Sequence, residues 1–155
     1  LVVVHVIPAT SGFAIAVPTA AGAVALTREE LADRCHLDCE LALAGADPRL
    51  MLTAPIPATH KVLDRAGLTL DDIDTLEVNE AFASVAVAFT QGLGLDPSIV
   101  NVNGSGCSLG HPIACTGARM IVTMVNELIR ADQQWGAVAM CAAGGMGSAT
   151  VIERL

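Results

Sequence analysis

Short apolar runs of strand length alternate along this chain with longer segments of helical period, which restricts the fold to a layered α/β domain. Ala23–Leu26 reads as a short apolar strand. Thr27 follows as an N-cap, and Glu30 completes a capping box, so a helix is expected there. Leu37–Ala44 alternates weakly and is expected as a strand. Pro55 and Pro57 open a helix to about Ala66, with Val62 and Leu63 inward and Gly67 as its stop. Asp71–Asp74 is a polar turn, and Thr75–Val78 a short strand ending at Asn79. The next helix is expected from about Glu80 to Gly92, because Phe82, Val85 and Phe89 share one face. Val100–Val102 is a short extended piece and Gly104–Gly110 a glycine-rich loop. A long helix is expected from about Pro112 to Arg130, where the pairs Met120/Ile121, Met124/Val125 and Leu128/Ile129 mark a buried face. Ala137–Cys141 is a buried strand, Gly144–Gly147 a tight connection and Ser148–Glu153 a final strand, so the chain ends on a hairpin.

The 155 residues suffice for one domain with a sizeable core. Hydrophobic residues make up 53% and charged residues 15%, which excludes disorder and implies burial within the chain or against a partner. Aromatics are only 3%, so the core must be aliphatic, and the 14 glycines allow backbone to pack on backbone. The net charge of −8, without any basic stretch, argues against nucleic acid and serves solubility. Cys35, Cys39, Cys107, Cys115 and Cys141 form no CxxC pair, which argues against a zinc ribbon or disulfide framework and fits a reducing, cytoplasmic compartment. Cys35, His36 and Cys39 could share a metal on a helical turn, but no second ligand pair follows, and no metal is expected. Leu1–Thr27 holds no Asp, Glu, Lys or Arg, so a leader or membrane helix has to be weighed. It lacks a positive start and is broken by Pro8, Gly12, Pro18 and Gly22, so buried strands with a loop are expected, and no membrane partner. The sequence begins at Leu rather than Met, which suggests a fragment or a processed chain.

Three polar points lie at the ends of apolar elements, where layered α/β sheets build their sites. They are Asn79-Glu80-Ala81-Phe82, Gly110-His111-Pro112, and Cys141 with the glycines after it. His111 follows the glycine loop, and Pro112 fits the first helical position. A positive helix end beside it favours neutral imidazole, which accepts a proton or donates a hydrogen bond near pH 7. The plain alternative is a helix-capping histidine. Cys141 lies beside backbone N–H groups that could stabilise a thiolate or a developing oxyanion; the alternative is a buried core cysteine. Cys107, close to His111 in sequence, ranks second as a reactive thiol. A dinucleotide loop fails because Leu109 stands where the third glycine belongs, and no GKS or GKT marks a phosphate loop. Gly106-Cys107-Ser108-Leu109-Gly110 matches the string of a serine-hydrolase elbow, but the loop runs on where the helix should begin.

Taken together, Asn79-Glu-Ala-Phe-Ala, Asn101-Val-Asn-Gly, Leu109-Gly-His-Pro-Ile, Thr116-Gly-Ala-Arg and Cys141-x-x-Gly-Gly-Met-Gly resemble, in order and spacing, the carboxy-terminal domain of thiolases. Ala54-Pro-Ile-Pro-Ala-Thr-His-Lys and Ala66-Gly-Leu-Thr-Leu-Asp-Asp-Ile-Asp resemble it too, so coverage runs from about Gly22 to Leu155, with 1–21 a poorly matching amino-terminal segment. The resemblance implies a mixed sheet with helices, one half of a two-fold-repeated fold. It implies acyl transfer to or from coenzyme A, by thiolytic cleavage or Claisen condensation of a 3-ketoacyl-CoA. His111 would activate the nucleophilic Cys and, with a water held by Asn79, form one oxyanion hole. Cys141 would be the second acid/base, and the Ala143 N–H would help form a second oxyanion hole. No permanently bound cofactor is implied; coenzyme A is a substrate, and acyl-CoA or 3-ketoacyl-CoA the small-molecule partner. Beta-ketoacyl synthases share the layers but use two His with one Cys, so Cys141 separates this chain from them.

The departures are specific. The family's acyl-accepting Cys lies in an amino-terminal half not found here, and Cys35 and Cys39 do not sit in its motif. Ala114 and Ala143 stand where Gly is usual or frequent, and Ser11-Gly12 is a poor match to the CoA-facing segment. The expected partners are therefore the missing amino-terminal half and, as a homo-oligomer, further copies of this chain. The alternative is a truncated, non-catalytic remnant that binds acyl-CoA or a subunit.

Overall fold

A computed structural model describes residues 14–19, 22–27 and 37–154, with side chains from Glu40 onward. β1 (Ala14–Thr19) and β2 (Gly22–Thr27) form a two-stranded antiparallel hairpin, with Ala14 opposite Thr27 and Thr19 opposite Gly22. The helix expected after Thr27 lies outside the described residues, as do Cys35 and His36. Cys39 belongs to a strand, not to the helical turn that the metal alternative required.

The main sheet contains β3 (Leu37–Gly45), β4 (Thr75–Val78), β5 (Trp135–Ala142) and β6 (Met146–Arg154), in the order β3-β6-β5-β4. β6 runs antiparallel to both neighbours, whereas β4 and β5 are parallel. The sheet is therefore mixed, as expected. A parallel pair needs a long crossover. Here it carries α2 (Ala83–Leu93), the single turn α3 (Gly106–Leu109) and α4 (Thr116–Ala131), while α1 (Pro55–Ala66) lies between β3 and β4.

The period of two along the strands sorts the core into two clusters. Ala137 and Ala139 of β5 and Ala149 and Val151 of β6 pack with Ala58, Val62 and Leu63 of α1 and Val85 and Phe89 of α2. Val138 and Ile152 point the other way, onto Met120, Met124 and Leu128 of α4. The order of layers is α1 and α2, then the sheet, then α4. β4 ends the sheet order yet is buried at every position, because helices cover the sheet and Val100 bridges to Leu76 on its outer side. Backbone approaches backbone closely: a Cβ on Gly147 would lie 2.6 Å from the Ala54 carbonyl carbon and 2.8 Å from the Pro55 nitrogen.

α1 begins and ends where the sequence places it, with Gly67 left-handed at φ 70°. Two other helices start late. α2 begins at Ala83 rather than Glu80, and Phe82 is extended and 64% exposed rather than inward. The reason is Glu80: its carboxylate is held by Asn101 and by the Cys107 N–H, which keeps residues 80–82 out of the helix. α4 begins at Thr116 rather than Pro112. The Pro112 carbonyl instead closes a separate turn, accepting from the N–H groups of Cys115 at 2.7 Å and Thr116 at 2.9 Å. Of the paired apolar positions on α4, Met120, Met124 and Leu128 are buried, but Ile121 and Val125 are only partly covered and Ile129 is 54% exposed. The apolar stripe is wider than the sheet beneath it can cover. The Asp71–Asp74 turn is a 3-10 turn at Leu70–Asp72, and the glycine-rich connection before β6 is another at Ala143–Gly145.

A buried ion pair ties α4 to the sheet. Glu77 of β4, with its side chain 4% exposed, meets the Arg119 guanidinium and accepts from the Ser105 hydroxyl at 3.1 Å. Burial raises the Glu77 carboxyl above its ordinary value, and Arg119 and Ser105 offset this only in part. A carboxyl raised in the folded state costs stability as pH rises through the ordinary carboxylate range. Arg119→Met removes the compensating charge, so it is expected to lower stability at pH 7.5 by about 3 kcal/mol, with the deficit narrowing towards pH 4.5. Urea unfolding of both chains across that range checks this; a deficit that widens in acid would contradict it. Gly147→Ala is expected to cost about 1–3 kcal/mol in the same measurement, because backbone cannot yield as a side chain can.

Candidate active site

The parallel pairing of β4 with β5 brings two strand ends to one edge of the sheet. The ladder continues past β4, where the Asn79 N–H donates to the Ala139 carbonyl at 2.9 Å. Asn79 and Cys141 therefore emerge at the carboxyl ends of neighbouring parallel strands. Such ends are where open α/β sheets place ligands.

The glycine loop is pinned to the same edge. Asn101 Oδ1 accepts the Val78 N–H at 2.8 Å, and Asn101 Nδ2 donates to Glu80 Oε1 at 2.9 Å. The Cys107 N–H donates to Glu80 Oε2 at 2.9 Å. Asn101 takes a left-handed backbone, φ 52°, which Asn tolerates better than most residues. Gly106 is required by contact: a Cβ there would lie 2.7 Å from the Glu80 carbonyl oxygen and 3.2 Å from Asn79 Oδ1. The first turn of α4 sits beside the end of β5, since a Cβ on Gly117 would lie 3.3 Å from Met140 Sδ. His111, between loop and helix, reaches Thr116 Oγ1 with Nδ1 at 2.8 Å. The loop and the helix turn that flank His111 thus lie against the strand ends that carry Asn79 and Cys141.

Their environments differ. Asn79 is 1% exposed, and neither atom of its side-chain amide has a hydrogen-bond partner among the described residues. A buried amide left so costs about 1–3 kcal/mol per group, so this one is poised to bind something polar. His111 is exposed and contacts the Thr116 hydroxyl, five residues on, rather than backbone at a helix start. Cys141 is half-buried against the core, and burial pushes its thiol up, so it is a neutral thiol near pH 7 rather than a thiolate. Cys107 is exposed; its thiol is raised by desolvation and then by Glu80, which argues against its ranking as a second reactive thiol. Ala143 is exposed and opens the 3-10 turn after β5, with Gly144 and Gly145 at φ 76° and 79°.

Sequence reasoning gave Glu80, Asn101 and Thr116 no role of their own, although each lies within a motif it singled out. Glu80 and Asn101 stand at element ends, a signal equal to the one that picked out Asn79. Among the described residues no three His, Cys, Asp or Glu side chains come close enough to hold a metal ion. The groove lined by Glu80, Val87, Thr90 and Val100 includes neither His111 nor Cys141. Each polar point carries an exposed apolar residue: Phe82 by Asn79, Leu109 and Ile113 beside His111, and Met146 after the Cys141 turn. No helix among the described residues is long and apolar enough to cross a membrane.

The family model for "Thiolase, C-terminal domain" matches residues 37–154. The beta-ketothiolase BktB of Cupriavidus necator is 46% identical over 151 residues, covering 94% of this chain and 38% of that protein. The steroid 3-ketoacyl-CoA thiolase FadA6 of Mycobacterium tuberculosis is 49% identical over 115 residues, covering 74% of this chain and 28% of that protein. The crystal structure of the Bacillus anthracis acetyl-CoA acetyltransferase superposes with a TM-score of 0.78 at 40% identity, covering 86% of this chain and 35% of the other. The chain thus spans well under half the length of these relatives. On the family model, the relatives' identity and the shared fold, the chain belongs to the thiolase family, and the part it matches is the carboxy-terminal domain.

Proposed function

We propose that this chain supplies the acid/base half of a thiolase site, which moves acyl groups to or from coenzyme A by cleaving or forming a 3-ketoacyl-CoA. The observation that carries this is the buried Asn79 amide, with neither atom partnered among the described residues, at a strand end beside that of Cys141, with the loop and helix turn that flank His111 packed against those ends. The acyl-accepting cysteine comes from sequence outside these 155 residues. In cleavage His111 takes the proton of that cysteine's thiol, the thiolate attacks the 3-keto carbon, and the bond between the α- and β-carbons breaks. Cys141, held neutral by burial, gives its proton to the departing enolate. The resulting thiolate takes a proton from the incoming coenzyme A thiol, and the acyl group passes to coenzyme A. Condensation runs these steps in reverse. Oxyanions form at both carbonyls: His111 and a water on Asn79 stabilise one, the Ala143 N–H the other. Coenzyme A is consumed or released as substrate; no resident cofactor takes part. Lipid and fatty-acid metabolism in the cytoplasm is the setting this chemistry suits.

The exposed Phe82, Leu109, Ile113 and Met146, with Val122 and Ile129 on the outer face of α4, form the surface that an amino-terminal half and further copies of the chain would cover. The segment 1–21 matches the family poorly, yet its β1 pairs with β2, so a division at Gly22 cuts a hairpin. A second reading follows from Cys141 and Cys107, whose thiols are raised rather than lowered. On that reading the chain is a remnant that binds acyl-CoA or a subunit without turnover.

Thiolysis of acetoacetyl-CoA separates the two. The chain alone is expected to be inactive, and a mixture with a matching amino-terminal half active. In that mixture His111→Ala and Cys141→Ala should each lower the rate by about 10²-fold or more. A mixture that stays inert favours the remnant, and unchanged rates in both variants defeat the site assignment. Alone, the chain is expected to dimerise or aggregate in sedimentation; a monomer at high concentration would show that its apolar surface needs no cover.

A further inference from the structure

His111 has two ring nitrogens, and only the one left without hydrogen can take a proton. The structure contains a group able to make that choice. The Thr116 hydroxyl oxygen lies 2.8 Å from His111 Nδ1 and 3.1 Å from the Pro112 carbonyl oxygen. Thr116 is 0% exposed, so water does not reach its hydroxyl to replace either partner there. A hydroxyl has one proton to give and lone pairs to accept with. If the proton goes to Pro112, the oxygen can accept an Nδ1–H, and both contacts are hydrogen bonds. If it goes to Nδ1, the contact with Pro112 is lost, and that carbonyl keeps only the N–H groups of Cys115 and Thr116. The first arrangement makes one more hydrogen bond to a hydroxyl that solvent does not reach. It also matches the habit of threonine in a helix, whose hydroxyl bonds the carbonyl four residues back.

We propose that Thr116 is a positioning residue that holds His111 as its Nδ1–H tautomer, leaving Nε2 bare to accept a proton. The tautomer is thereby tied to the helix: Thr116 is the first residue of α4, and Gly117 presses that turn against Met140 at the end of β5. The use of the bare nitrogen rests on reading His111 as the site's base; the tautomer itself does not. This separates failure of one from failure of the other.

The test is nitrogen-15 NMR of the chain labelled at histidine, in solution or by magic-angle spinning, at about pH 8.5, where an ordinary imidazole is neutral. His111→Asn identifies the His111 signals among those of the four histidines. The expected spectrum shows a protonated Nδ1 and a bare Nε2. Thr116→Val should convert this to a mixture of tautomers, and Thr116→Ser should keep it. A protonated Nε2 in the unaltered chain overturns the proposal without any variant, as does an unchanged tautomer in Thr116→Val. In the reconstituted mixture Thr116→Val should lower thiolysis at least about 10-fold and Thr116→Ser restore it, as for other histidines that lose an orienting partner. A normal tautomer pattern with activity indifferent to His111→Ala would instead defeat the reading of His111 as base and leave the tautomer assignment standing.

Discussion

The hydrogen bond from the Asn79 N–H to the Ala139 carbonyl carries much of this architecture. It extends the parallel ladder of β4 and β5 one residue beyond the strand, and so fixes where the buried backbone stops and the site begins. Parallel strands end on the same side, and the crossover between them must return over the sheet. The glycine loop and α4 make up the latter part of that crossover, so His111 and Thr116 arrive beside Asn79 and Cys141 by topology alone. The Glu80 carboxylate then fastens the loop, taking Asn101 with one oxygen and the Cys107 N–H with the other. The same bonds hold residues 80–82 out of α2 and turn Phe82 outward.

Charge is distributed with the same economy. Glu77 sits under α4 with Arg119 and Ser105, a buried carboxylate whose desolvation exceeds what its partners return. Such a pair adds little net stability. It does specify how α4 lies across β4, and α4 in turn carries Thr116 and the turn that holds His111. Cys141 is kept as a neutral thiol by burial, which suits a group that gives and takes one proton. His111 by contrast is exposed, restrained through one nitrogen only.

The strands and α1 were legible because their signals are local. Thr75–Val78 sets Leu76 and Val78 just ahead of the polar Asn79, and Pro55 and Gly67 bound α1 as proline and glycine commonly bound helices. The starts of α2 and α4 were not legible. Periodicity gives the phase of a helix, but Glu80 and Pro112 make tertiary and turn hydrogen bonds that remove the first residues from it. The same limit applied to the site. Asn79, His111 and Cys141 stood out as polar residues at the ends of apolar elements. Glu80, Asn101 and Thr116 act through contacts to residues up to 27 positions away, which no window of sequence displays.

Sequence by itself determined the layered α/β class, the identity of the three polar motifs and the aliphatic make-up of the core, because alternation, glycine placement and residue type are properties of neighbours along the chain. Only the tertiary structure decided that the turns flanking His111 lie against the strand ends of Asn79 and Cys141, that Asn79 is buried with its amide unpartnered among the described residues, and that part of the α4 stripe is left uncovered. Those facts follow from strand order and from packing across the sheet, where parallel pairing of β4 and β5 joins residues some 60 positions apart, as in Asn79 N–H to Ala139.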